Sequence, residues 1–501
     1  MDKTAGVLFA ITSLPSKYGI GCFSKEAYKF VDWLADAGQR YWQILPMGPT
    51  GFGDSPYQSF STFAGNPYFI DLETLICEGL LKKEECDSRD FGADWHFVDY
   101  EKQYNERYGL LRLAYERSRC FDTYEYREFL NKNSYWLTDY SLYMAVKNHF
   151  GGIVWTDWPE EIRSRTEEGI SYYRGVLADE IGFQQFMQYL FFKQWNELRA
   201  YANEKGIKIV GDIPIYVSLD SADAWSHPEL FQLDENCNPV AVAGCPPDGF
   251  SADGQLWGNP LYNWTYHRQT GYEWWTRRLA FCFELYDVLR IDHFRGFDEY
   301  YSIPYGDKTA VHGHWEKGPG ISLFETIERN IGKKSVIAED LGFVTDSVRK
   351  LVRDSDFPGM KVLQFAFDSR DTGSANDYLP HNYISNCIAY TGTHDNETLI
   401  GWWITQDEDT KKTVRDYLCD YYTPDDKIHI PLIASIMRSN AKICIVPLQD
   451  YLGLDNCARM NTPSTVGKNW RWRADSSQID GVLAKAVRDI TERFGRLNKT
   501  K

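Results

Sequence analysis

Eight short, unbroken apolar runs punctuate this chain, each ending in glycine, proline or polar residues. They are VLFAITSLP from Val7, YWQILP from Tyr41, KIVGDIPIY from Lys208, VLRIDHF from Val288, SVIAED from Ser335, KVLQFAF from Lys361, CIAYTGTHD from Cys387 and AKICIVPLQD from Ala441. A strand with one wet face alternates apolar and polar residues, whereas a strand covered on both faces reads as a continuous apolar run. Helical periodicity lies between many of the runs. After the first, Ala27, Phe30, Val31, Leu34 and Ala35 form one apolar stripe, with Ser24 as its N-cap and Gly38 as its stop. Helices are also expected from Thr345 to Arg353 and from Glu397 to Ile404. Eight strand and helix repeats favour an α/β fold of the closed (β/α)8 kind, a TIM barrel, over an open sheet.

The runs are unevenly spaced. More than 150 residues separate the second from the third, and much of that stretch is helical and aromatic-rich, so an inserted subdomain is expected at approximately 65–190. A second insertion, approximately 218–270, carries GCPPDGFSADGQLWGNPLYNW, a Gly/Pro/Trp-rich segment unlike either helix or strand. Long ordered loops over a barrel mouth usually serve binding. No Ser/Gly linker and no internal repeat divides the chain, so residues 1–501 read as one catalytic barrel with large inserted subdomains.

The formal charge of −17 disfavours nucleic acid and anionic membrane as partners, because both would be repelled before contact. A neutral polymer feels no such repulsion. The 17 Trp, 33 Tyr and 28 Phe offer flat faces for sugar rings, although most aromatics will be ordinary core. Eleven cysteines, an odd number without a CxxC pair, follow an N-terminal apolar run too short for a signal peptide, and no stretch approaches a membrane span. Reduced thiols and a cytoplasmic location are expected.

Three acidic residues stand just past apolar runs, in order: Asp292 in RIDHFRG, Glu339 in AEDLG and Asp395 in GTHDNET, spaced by 47 and 56 residues. Each spacing leaves room for a helix and the next strand, so a parallel barrel would gather all three at one mouth. Acetal chemistry needs such a set: one anion attacks, one acid protonates the leaving oxygen, and a third carboxyl holds hydroxyls beside the reacting carbon. Arg290 lies two residues before Asp292, on the same side of the strand, and is expected to lower its pKa and keep it ionised. Glu339, at the end of an apolar strand, is expected to be desolvated and keep its proton, with Asp340 competing for the role. His394 and Asp395 offer a donor and an acceptor to sugar hydroxyls. Each has a plain structural reading too: a buried Arg–Asp pair, a strand-to-helix turn, and an N-cap ahead of Glu397. Asp212 in GDIPIY and Tyr57 in GDSPYQSF are candidates for an Arg290 partner and a stacking platform. His312 and His314 in VHGHW mimic a metal pair, but without further clustered ligands they read as loop histidines, and no metal is expected. No nucleotide or phosphate loop appears, so no cofactor is expected either.

Together these segments resemble the amylomaltases, the 4-α-glucanotransferase family of the α-amylase clan, in their short bacterial form. The likeness runs nearly end to end and rests on GPTGFGDSPYQSFSTFAGNPYFIDL, GDIPIY, PPDGFSADGQLWGNPLYNW, RIDHFRGF, WEKGPG, AEDLG, GTHDNET and RMNTPST. The resemblance implies a retaining double displacement that moves a segment of one 1,4-α-glucan to another, with maltooligosaccharides as donor and acceptor and glucose as acceptor. By motif position it makes Asp292 the nucleophile, Glu339 the general acid/base and Asp395 the transition-state stabiliser. It places Tyr57, Asp212, Arg290, His394 and Asn461 around the donor site and Trp257 and Asn259 in a loop over it, with His293 and Phe250 also binding substrate. Some relatives carry an aromatic in PPDYFS where this chain has Gly249, a departure that falls on the lid and leaves the catalytic positions unaffected. A hydrolase would use the same trio with water as acceptor, whereas a non-catalytic glucan-binding barrel would have no reason to keep it.

Overall fold

All eight apolar runs become strands of one sheet. A computed structural model describes residues 3–51, 53–247, 252–342, 344–368 and 373–498. Its barrel strands are β1 (Thr4–Leu8), β2 (Tyr41–Gln43), β3 (Lys208–Pro214), β4 (Val288–Asp292), β5 (Val336–Ala338), β6 (Gly359–Val362), β7 (Cys387–Tyr390) and β8 (Ile443–Pro447). Every strand is parallel to its sequence neighbours, and β8 pairs with β1 from Thr4↔Ile443 to Leu8↔Pro447, which closes the barrel.

Side chains alternate along each strand, and that parity decides what faces the interior. Leu8, Val210, Val288, Ile337, Met360, Ile388 and Ile445 form one apolar cluster in the barrel. Two residues further along the same parity come Asp212, Arg290 and Glu339, and Asp292 lies two beyond Arg290, so apolar residues plug the barrel below and ionisable ones crowd its C-terminal mouth. The opposite parity, including Ile209, Leu289, Ile291 and Ala389, joins the larger core under the surrounding helices.

Local signals set the helix starts. Lys25–Asp36 begins where the Ser24 side chain accepts from the Glu26 N–H, and Gly38 follows it at φ 68°. Asp346–Ser355 begins after its Thr345 cap. The expected helix from Glu397 starts later, at Leu399–Thr405, because Thr398 caps the Gly401 N–H while a buried Asp450 carboxylate accepts from the Leu399 N–H at 2.8 Å.

Between β2 and β3 the long helices Tyr124–His149 and Ala178–Glu204 lie side by side, with rings such as Trp136 and Phe192 in contact. The Gly/Pro/Trp-rich segment departs from expectation. Gln255–Pro260 is a strand, in an antiparallel sheet with Ala241–Cys245, Glu299–Pro304 and His314–Lys317, and Trp264–Gln269 is a helix. These strands were hidden because they are short and interrupted by glycine and proline, which weaken the strand signal. His314 accordingly sits in an exposed strand, not a loop.

The barrel seam is held from the C-terminal side. Fully buried Arg496, just past the helix Gly481–Arg493, donates to the carbonyls of Thr4, Met437, Ser439 and Ala441. Among the described residues no helix is long and apolar enough to cross a membrane, and all eleven cysteines are free.

Gly211 lets the outer wall approach β3 beside Asp212. A Cβ there would stand 2.2 Å from the Tyr286 ring, so Gly211→Ala is expected to cost about 1–3 kcal/mol by overpacking. Urea unfolding measures it; an unchanged midpoint would mean that Tyr286 has room to move.

Candidate active site

At the C-terminal mouth, β3 and β4 lie in register with Asp212 opposite Arg290 and Pro214 opposite Asp292. The Arg290 guanidinium divides itself. Its Nη1 donates to both Asp212 oxygens at 2.8 and 2.6 Å, and its Nη2 donates to Asp292 Oδ1 at 2.8 Å. Arg290 and Asp212 are 3% and 0% exposed, whereas Asp292 is 30% exposed and faces the cleft. A buried ion pair of this kind persists only when its lone pairs and protons are satisfied, and a further donor completes it: the Tyr57 hydroxyl donates to Asp212 Oδ2 at 2.8 Å.

Tyr57 has one proton, and Asp212 receives it. The 2.8 Å contact between Tyr57 and His394 Nε2 therefore runs the other way, with His394 donating. The two rings stack at 5.2 Å and 18°. His394 Nε2 also lies 3.4 Å from Asp395 Oδ2, while Asn461 donates to Asp395 Oδ1 at 2.6 Å and Arg459 to the Asp395 carbonyl at 2.9 Å. One polar chain thus links Arg290, Asp212, Tyr57, His394, Asp395 and Asn461.

Glu339 follows β5, next to β4. Its Oε2 accepts from the His293 N–H at 2.7 Å and its Oε1 from the Leu341 N–H at 2.8 Å. Burial first, then the charge of Asp292, push its pKa up to about 8, opposed by Arg290 and the two N–H groups. Arg290 does lower the Asp292 pKa, as expected, but not enough to hold it below the usual range. Burial is the larger effect and raises Asp292 too, while Arg290 opposes it with a guanidinium shared with Asp212. At about 8, Glu339 keeps its proton near neutrality. Asp340, of opposite parity, points away: its Oδ1 accepts from the Met360 N–H at 2.7 Å, and it lines a separate cavity outside the barrel.

A cleft of about 710 Å³ opens over this mouth, lined by Tyr57, Trp257, Asn259, Asp292, His293, Asp395 and Asn461. Glu339 is not one of its lining residues but accepts from the backbone N–H of His293, which is one. Asn259 serves the wall more than the opening, since it is buried between Gln58 and the Val217 carbonyl. Phe250 and Gly249 lie outside the described residues. Among the further lining residues not singled out from the sequence are Gln58, Tyr216 and Trp470. The first two stand inside quoted motifs, next to Tyr57 and at the end of GDIPIY. Trp470, at φ 64° with its ring 5.8 Å from both Tyr57 and His394, gives no local signal. His312 and His314 pair instead with Asp307 and Glu316 on the exposed side of the small sheet. Among the described residues no group of three or more His, Cys, Asp or Glu converges to hold a metal ion.

The family model described as 4-alpha-glucanotransferase matches residues 9–478. The chain belongs to the 4-alpha-glucanotransferase family. It is 47% identical to the 4-alpha-glucanotransferase of Clostridium butyricum over 97% of this chain and 99% of that one, and 44% identical to that of Thermus thermophilus over 99% and 100%. The solved amylomaltase of Streptococcus agalactiae in complex with acarbose superposes with a TM-score of 0.96 at 41% identity, over 99% of this chain and 100% of that one. The amylomaltase of Corynebacterium glutamicum, at 18% identity and a TM-score of 0.77 over 99% and 75%, shares the fold. The chain is a 4-α-glucanotransferase, which sets aside the hydrolase and non-catalytic readings of the sequence.

The raised Glu339 pKa carries a stability consequence. Folding lifts it from the ordinary 4.5 to about 8, so the folded protein holds a proton that the unfolded chain releases, and its stability falls as pH rises across that window. Glu339→Gln removes the titration. Its melting temperature should match wild type near pH 4.5 and exceed it by roughly 1–3 °C above pH 8. A pH-independent difference in calorimetry would show that Glu339 is not protonated in the folded protein.

Proposed function

We propose that Asp292, Glu339 and Asp395 carry a retaining double displacement on 1,4-α-glucans. The observation that bears most weight is the adjacent pair of carboxyls on β4 and β5, with Glu339 pushed up to about 8 and Asp292 bonded to Arg290. In the first step Asp292 attacks the anomeric carbon as the glycosidic bond breaks, and Glu339 gives its proton to the departing glucan oxygen. In the second, Glu339 takes the proton of an incoming sugar hydroxyl, which displaces Asp292 and restores an α linkage. Asp395, fixed by Asn461 and close to His394, is suited to hold hydroxyls beside the reacting carbon, where contacts that strengthen in the transition state lower the barrier.

Tyr57, Asp212, Arg290, His293, His394 and Asn461 would surround the donor sugar, and Trp257, Asn259 and Phe250 the acceptor side. The acarbose complex of the Streptococcus agalactiae relative supports an α-glucan in this cleft. Donors and acceptors would be maltooligosaccharides and longer 1,4-α-glucans, with glucose also an acceptor, and neither nucleic acid nor membrane would be a partner. The free cysteines support a cytoplasmic location.

Incubated with maltotriose alone, the enzyme should yield glucose and a ladder of longer maltooligosaccharides while total reducing ends stay almost constant, since each transfer breaks one linkage and makes another. Reducing ends rising in step with substrate loss would refute transfer. Asp292→Asn should lose at least about 10³-fold in kcat, as expected for removal of a nucleophile; retention of most turnover in a sample free of wild type would remove Asp292 from that role. Activity should fall as pH rises through about 8, where Glu339 loses its proton, and this limb should vanish in Glu339→Gln.

A further inference from the structure

The cleft wall next to Glu339 is shaped by an irregularity in the small sheet. Val242 pairs with Pro260 and Gly244 with Leu256, so one residue of Ala241–Cys245 faces three of Gln255–Pro260. Extra residues in an antiparallel pair bend the strand and re-aim its side chains. Gly258, at φ 78°, supplies the left-handed turn in the bulge. The bulge sets Trp257 edge-on to the His293 imidazole, with ring centroids 4.8 Å apart and planes at 86°. Trp257 is itself tied by Nε1 to Gln255 Oε1 at 3.0 Å, and Tyr216 flanks the same imidazole at 6.3 Å.

His293 needs such a grip. Its backbone is left-handed, φ 53° and ψ 47°, a conformation that costs a non-glycine residue roughly 1–2 kcal/mol and persists only where the surroundings enforce it. Its Nε2 is buried without a hydrogen bond, so ring contacts hold the side chain. This same turn aims the His293 N–H at Glu339 Oε2, 2.7 Å away.

We propose that Trp257 is a positioning residue for Glu339: by gripping the His293 ring it maintains the left-handed backbone whose N–H fixes the carboxyl of the proton donor. The proposal rests on Glu339 being the general acid/base. The acceptor-side wall is thereby coupled mechanically to the protonating group. The other charged or titratable groups around Glu339 are Asp292 and Arg290 from β4, its neighbour Asp340, and Tyr378 from the segment after β6. None of them is in ring contact with Trp257.

The test is kcat/KM against pH on maltotriose for the wild type, Trp257→Ala, Trp257→Phe, Gly258→Ala and Glu339→Gln. Losing the indole frees His293 to leave the left-handed region, and the carboxylate then loses an N–H donor that stabilises its charge. The basic limb in Trp257→Ala should therefore move upward by about half a pH unit to one unit, with kcat down about tenfold from misplacement. Trp257→Phe, which keeps a ring edge, should restore the limb to the wild-type position. Gly258→Ala, strained at its positive φ, should shift the limb in the same direction as Trp257→Ala and carries the test if that variant fails to fold. A limb unmoved in both Trp257→Ala and Gly258→Ala, with only KM raised, would overturn the proposal and leave Trp257 as a sugar contact. A limb that survives in Glu339→Gln, assayed with an α-maltosyl fluoride donor that needs little protonation, would overturn the acid/base assignment itself.

Discussion

Everything at the barrel mouth depends on one guanidinium. Three strand ends bring Asp212, Asp292 and Glu339 into a space with little water, where each uncompensated ion costs several kcal/mol. Arg290 meets the cost from inside β4, with one nitrogen across two Asp212 oxygens and another on Asp292. A lysine has no planar fork to divide in this way. Because Asp212 accepts from Arg290 and from the Tyr57 hydroxyl, His394 must donate to Tyr57, and the loop after β7 is held where Asp395 faces the cleft. One cation on β4 so orders side chains delivered by the segment after β2, by β3 and by the loop after β7.

The same arrangement divides labour between two carboxyls on adjacent strands. Both are raised by burial, but only Asp292 is hydrogen-bonded to the guanidinium, while Glu339 is pushed up to about 8. The two N–H donors on Glu339 temper this. Backbone geometry at His293 thus bears on how readily Glu339 ionises, although His293 itself titrates far below neutrality, at about 3, because it is buried.

The fold was legible because parallel barrel strands are covered on both faces and advertise themselves as apolar runs, so all eight could be named from residue types alone. Asp292, Glu339 and Asp395 were legible because they interrupt or follow those runs. Other features depend on three-dimensional context that no local pattern carries. The small sheet was missed because Gly244, Gly258 and Pro260 erase the alternation its strands would otherwise show. The start of Leu399–Thr405 was misplaced because Asp450, some 50 residues further on, supplies the deciding hydrogen bond. The direction of the Asp292 shift was misjudged because adjacency to Arg290 is visible in RIDHFRG, whereas the burial that outweighs it, and the added charge of Asp212, appear only when β3 lies beside β4. Trp470 reaches Tyr57 and His394 through a turn that its neighbours in sequence do not announce.

The seam between β1 and β8 has a consequence for how the protein is made. The first strand emerges from the ribosome long before its partner, since Thr4 pairs with Ile443, and Arg496 then spans the join by binding carbonyls on both sides of it. Until β8 pairs with β1, the sheet has two raw edges with unpaired N–H and C=O groups, the feature that invites pairing with other chains. Contacts this distant in sequence are also slow to form. The sheet is therefore most open to wrong pairing after its inner strands have met and before β8 joins β1 to close the ring.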